Sequence, residues 1–220
     1  LQILKDQYAG LGETLQRPAG LVDLPEKSGN ILREAWTTTT QVNFCAAAFP
    51  TVGETHQDSA ALTVLAGVLR NGYLHGEIRE KGGAYGGGAV HDSSNGIFRF
   101  YSYRDPRLEE TFGSFRDSVD WLLSSQLDFA QVEESILSII GSLDSPGSPA
   151  GEARHAFHQS LQGRSLEHRK HYRESILSVS VADIRRVTET YLTRESSQVV
   201  ITSQSHVQRL ADQGFEIQRL

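Results

Sequence analysis

Hydrophobic positions along the chain switch between two spacings. From Ile31 to Pro50 the residues are β-branched, aromatic and small, with Phe44, Ala46 and Ala48 on one side of a strand and Cys45, Ala47 and Phe49 on the other. This pattern predicts one long strand or a bent pair. A helix is expected next. Thr55-x-x-Asp58 offers a capping-box-like start, and Leu62, Leu65, Val68 and Leu69 recur at helical spacing up to Asn71-Gly72, where the helix should end. A short helical segment, Leu74 to Lys81, should stop at Gly82-Gly83, because a left-handed helix exit favours glycine. Ala84 to His91 and Ile97 to Tyr103 then read as two strands. Asn95-Gly96 between them is a hairpin signal, although the loop is longer than the two-residue ideal.

The following stretch is helical. Leu108, Phe112, Phe115, Val119 and Leu122 step by 4, 3, 4 and 3, and Val132, Ile136, Ile139, Ile140 and Leu143 form a second stripe. Ser148 can cap a third helix with Pro149 in its first position. A fourth is expected over Leu166 to Leu177, and Ser180-x-x-Asp183 opens a fifth with Ile184, Val187 and Tyr191 inward. A strand at Gln198 to Thr202, a short helix at His206 to Asp212 and a strand at Phe215 to Gln218 complete the pattern. Residues 1–30 are weakly periodic and rich in turn formers; they read as a linker or the end of a preceding segment, with a short helix at Ile3 to Tyr8. The domain proper is expected over 31–220. Hairpins and non-alternating helices predict an α+β fold, a mostly antiparallel sheet with helices packed on one face.

Composition narrows the function classes. With 38% hydrophobic residues in 220, the chain can bury a sizeable core. A net charge of −6 argues against a basic nucleic-acid footprint. The longest uncharged run, Ala35 to Gly53, holds five threonines, Gln41, Asn43 and Pro50, and so is no membrane span. Leu1 to Gly20 carries scattered charges unlike a signal peptide. The chain has no methionine, as expected of a piece of a longer protein. Cys45 is the only cysteine, which excludes an intrachain disulfide framework and a Cys-based zinc site.

Candidate chemistry is sparse outside one segment. His155 with His158, and His168 with His171, share helical faces, with Glu152 and Glu167 nearby. Their plain reading is a solvated helix face. Cys45 sits in an apolar strand with nothing beside it to lower a thiol pKa. The run Gly82-Gly83-Ala84-Tyr85-Gly86-Gly87-Gly88-Ala89 is neither a P-loop nor a dinucleotide fingerprint, because a strand follows it. Glycine in a strand marks close approach of a backbone or a ligand. Period-two alternation would put Tyr85 with Gly87 and Ala89 on one face, without bulky neighbours and close to Arg79. A tightly packed strand with Tyr85 as a rim residue is the other reading.

Ile78-Arg79-Glu80-Lys81-Gly82-Gly83-Ala84-Tyr85-Gly86-Gly87-Gly88-Ala89, followed by Phe100-Tyr101-Ser102-Tyr103-Arg104-Asp105-Pro106, resembles the last domain of the pitrilysin/insulinase-type zinc metallopeptidases, in the presequence-protease branch. The resemblance is densest from Leu74 to Pro106 and continues more loosely from about Arg33 through Leu192.

The resemblance implies a chain built of repeated α+β domains whose two halves close like a clamshell around a peptide. Zinc is held in the first domain by an H-x-x-E-H motif and a later Glu. That motif does not occur in these 220 residues. The last domain contributes an Arg and a Tyr toward the scissile bond, by position Arg79 and Tyr85, with Gly83, Ala84, Gly86 and Gly87 lying along the peptide. The expected partners are a peptide substrate and the N-terminal catalytic half, with no nucleic acid or membrane, in a bacterial cytoplasm or an organelle matrix. The isolated chain should be inactive. The same fold also occurs in non-catalytic subunits that bind peptides or scaffold respiratory assemblies, which is the other class of function.

Overall fold

Strand β2 (Asn43–Pro50) shows why this sheet is one-sided. Cys45, Ala47 and Phe49 are buried, while Phe44, Ala46 and Ala48 between them stay half-buried or exposed. Small and aromatic residues thus alternate between a covered face and an open one. The computed structural model describes residues 30–124, 127–161 and 164–220. The expected helix at Ile3 to Tyr8 lies outside them.

The sheet has six strands in the order β3-β4-β2-β5-β1-β6. They are β1 (Arg33–Thr37), β2, β3 (Gly86–Asp92), β4 (Ile97–Asp105), β5 (Ser197–Thr202) and β6 (Glu216–Arg219). The β3–β4, β2–β4 and β2–β5 pairs are antiparallel, and β1 runs parallel to both β5 and β6. The stretch Ile31 to Pro50 therefore holds two strands, but β5 separates them. Their true neighbour is far away in sequence, where local alternation carries no information about pairing.

Helix α1 (Ser59–Leu69) buries nine of its eleven residues. It packs on β3 and against helices α3 (Phe129–Leu143), α5 (Leu166–Leu177) and α6 (Val181–Tyr191), and a helix apolar all round belongs at such a centre.

Two expectations fail here. Asp58 stands at the N-cap, but its carboxylate caps nothing. It accepts instead from the Tyr191 hydroxyl at 2.8 Å and lies 2.8 Å from Arg186 Nη1, tying α6 to α1. Nor does the helix end at Asn71-Gly72: it runs straight on as a π-helix, Arg70–Lys81. Gly72 is a contact residue, since a Cβ there would lie 2.7 Å from the Trp121 ring.

Helix α2 (Glu109–Ser124) buries the whole first stripe, Leu108 included. In α3, Val132 and Ile136 are buried but Leu143 is 48% exposed, so that stripe leaves the core at its end. Helix α4 (Pro149–Leu161) follows Ser148, whose Oγ accepts from Gly151 N at 3.1 Å. Ser180 and Asp183 form the expected capping box of α6. A 3₁₀ turn (Gln204–His206) and α7 (Val207–Asp212) lead into β6.

Candidate functional site

The π-helix ends in a tight return. Gly83 takes the left-handed conformation, φ +76°, which glycine adopts without steric cost. Gly83 N donates to the Arg79 carbonyl at 3.0 Å and Ala84 N to that of Ile78 at 3.1 Å. Tyr85 N then donates to the Arg104 carbonyl at 3.3 Å. These three bonds set Tyr85 beside the end of the π-helix that carries Arg79. The Tyr85 side chain is 65% exposed. Arg79 is exposed too, and its guanidinium has no partner among the described residues. Helical segments with wide turns concentrate at functional sites.

The glycines that follow make room for the protein's own side chains. A Cβ on Gly86 would lie 2.5 Å from the Tyr103 ring, one on Gly87 2.7 Å from Ile78 Cγ2, and one on Gly88 2.9 Å from Arg70 Cγ. On Gly82 it would strike the Arg107 guanidinium and the Ile78 carbonyl. Ala84 is buried, at 3% exposure.

Alternation starts only at Gly86, so Tyr85 does not share a face with Gly87 and Ala89. Nor does it stand alone. Its ring lies 5.6 Å from that of Tyr103, tilted by 59°. The Arg104 guanidinium carbon lies 5.8 Å from the Tyr85 ring centre, within cation–π range.

An irregularity in β4 arranges this. Asn43 pairs with Asp105 and Cys45 with Ser102, so Tyr103 and Arg104 together oppose Phe44. Such a bulge bends a strand and re-aims its side chains. Arg104 sits in it at φ +50°, alone among non-glycine residues described here. Periodicity leaves Tyr103 on the open face of the expected strand but gives no sign of Arg104, because the bulge breaks the alternation beyond it. The one signal for a role of either is the run Phe100 to Pro106 within the resemblance.

A buried polar network fixes the corner beyond the bulge. Asn43 Nδ2 donates to the carbonyls of Asp105 (3.2 Å) and Arg107 (3.1 Å), and its Oδ1 accepts from the Thr202 hydroxyl at 2.5 Å. Asp105, fully buried, accepts from Arg107 N at 2.9 Å and from the Thr111 hydroxyl at 2.8 Å. Buried polar groups that are partnered in this way specify one arrangement rather than several. Arg107 Nη2 donates in turn to the Glu77 carbonyl, 2.7 Å away on the π-helix.

The remaining candidates are quiet. Cys45 is 2% exposed, and burial pushes its thiol up to about 12, which removes nucleophilic character at neutral pH. His168 lies 3.3 Å from Glu54, which also pairs with Arg164; His155, His158 and His171 are exposed. No group of three or more His, Cys, Asp or Glu among the described residues is placed to hold a metal ion. The described side chains therefore offer zinc no set of ligands. No described helix is long and apolar enough to cross a membrane.

Comparison with known proteins gives the relationship. A mitochondrial presequence protease of Yarrowia lipolytica is 40% identical over 156 residues, 71% of this chain but 16% of its own length. A protease from Helicobacter pylori superposes with a TM-score of 0.72 at 16% identity, covering 91% of this chain and 51% of that one. The inactive M16 peptidase domain from Pseudomonas fluorescens does so at 0.62 with 15% identity, covering 78% and 43%. These two likenesses show the fold. Residues 33–204 match the family model of the PreP C-terminal domain, so the chain belongs to that family, and the curated relatives it matches are presequence proteases.

Proposed function

We propose that this domain serves a peptide-degrading zinc metalloendopeptidase by presenting Arg79 and Tyr85 to the substrate backbone across a closing chamber. The zinc and the water-activating base would stand on another domain of the full-length protein. The observation that carries this reading is the pair of exposed polar groups, a guanidinium and a phenol, on the two arms of one rigid turn.

Attack of water on a peptide carbonyl builds negative charge on its oxygen, and preorganised donors stabilise that charge more in the transition state than in the ground state. Arg79 supplies a permanent positive charge with planar donors. Tyr85 supplies one neutral hydroxyl donor. Because both stand apart from the zinc, the site is complete only when the halves close, which couples chemistry to sequestration of the peptide. With Ala84 buried and the spaces at Gly86 and Gly87 taken by Tyr103 and Ile78, substrate contact falls to Arg79, Tyr85 and the exposed backbone of Gly83. The mitochondrial relative supports an organelle matrix as the setting. A scaffold role of the same fold would have no use for this exposed pair.

The test is Tyr85→Phe in the full-length protease. Turnover should fall at least about tenfold with unchanged stability, the mark of a donor used in the transition state. An unchanged rate would remove the proposed role.

A further inference from the structure

We infer that Arg104, in the β4 bulge, is a positioning residue that orients the Tyr85 phenol on the turn whose other arm carries Arg79. The inference rests on the function proposed above. The corner grips both arms of the turn. Arg104 accepts the Tyr85 amide through its carbonyl and lays its guanidinium over the Tyr85 ring. Arg107 reaches the other arm, donating to the Glu77 carbonyl and lying where a side chain on Gly82 would be. A cation at the carbonyl end of a helical segment is favoured by the segment's dipole.

The backbone at Arg104 supplies a second, independent argument. At φ +50° the position suits glycine, and an arginine there is held against its own preference. Residues kept in such conformations cluster where geometry serves function. The cation over Tyr85 is the return for that strain. Tyr103 completes the support, its ring filling the space above Gly86 and bracing Tyr85 from the side. The Asn43–Asp105–Thr202 network then anchors the corner to β2 and β5, strands paired on both sides within the sheet.

The experiment is a mutant cycle in the full-length protease with Arg104→Gly, Arg104→Lys, Tyr85→Phe and the double variant Arg104→Gly with Tyr85→Phe. Glycine suits the backbone, so Arg104→Gly should leave the thermal midpoint unchanged or raised. It should lower kcat about fivefold with little change in KM. In the Tyr85→Phe background the same change should cost less than about twofold more, because groups acting as a unit are not additive. Arg104→Lys, which keeps a cation, should restore kcat to within about twofold of the unaltered enzyme. Independently of activity, the Tyr85 ring resonances should shift in Arg104→Gly.

A normal kcat in Arg104→Gly beside a defective Tyr85→Phe, losses that multiply in full, or unmoved Tyr85 resonances would each overturn the inference. A silent Tyr85→Phe would instead overturn the function on which it rests, leaving the ring resonances to decide whether Arg104 orients the phenol.

Discussion

Strand β4 carries two aromatic clusters on its two faces, and they differ in kind. Inward, Phe98 and Phe100 join Phe49, Phe112 and Phe115 in a buried chain of rings spaced 5.5 to 5.9 Å apart. Outward, Tyr103 meets Tyr85 in solvent beneath an arginine. The inward rings have no polar atoms and bury nearly all their surface, so they hold the fold. The outward rings keep their hydroxyls available and contribute little burial. The alternation along β4 thus separates the rings that hold the fold from the ring that faces the proposed site.

The comparison can be broken from either side. The largest stability effect is expected of Phe100→Ala, which should cost about 3–5 kcal/mol through lost transfer energy and an uncollapsed cavity. Denaturant unfolding of the chain would show it, and a loss below about 1 kcal/mol would mean the inward stack is not what holds the domain. Gly82→Ala comes next, at about 2 kcal/mol, because the new methyl meets the Ile78 carbonyl and the Arg107 guanidinium and cannot be accommodated without moving the turn. It should also lower activity of the full-length enzyme, unlike Phe-to-Leu changes in the stack that leave the turn alone.

A smaller effect follows from His91, 8% exposed on the covered face of β3. Burial holds its pKa below the ordinary 6.5, opposed in part by its hydrogen bond with the Val52 carbonyl. Below pH 6.5 the unfolded chain therefore binds more protons than the native one, and stability falls as pH is lowered through that value. Above it the contribution is fully present. The slope of thermal midpoint against pH between about 7 and 5 should be flatter in His91→Gln. The smallest stability change belongs to Tyr85→Phe, within about 0.5 kcal/mol, as for an exposed side chain whose ring is retained.

Much of the architecture was legible in residue spacing, and the exceptions have physical causes. Local periodicity found α5 and the Ser180–Asp183 box because caps and apolar stripes act within a turn or two. It could not find β5 between β1 and β2, since strand pairing is decided by distant chain. It misread Asn71-Gly72 as a stop because a glycine admitting Trp121 looks the same in sequence as a glycine ending a helix.

The candidate site divides similarly. Arg79 and Tyr85 were named through resemblance, and the left-handed exit at Gly83 through glycine chemistry. Tyr103, Arg104 and Arg107 escaped because they act through a bulge and a corner. No residue pattern announces φ +50° at an arginine.

The burial of Cys45 has a practical consequence for testing the proposed closure. The sole thiol of this chain is buried and raised to about 12, so it should react slowly with maleimides and spin labels. A cysteine introduced on the open face of the sheet, at Ser197 for example, would be the one reactive handle in this domain. On the function proposed above, a probe attached there would follow the approach of the opposite half in real time, with the native sequence as its unlabelled control.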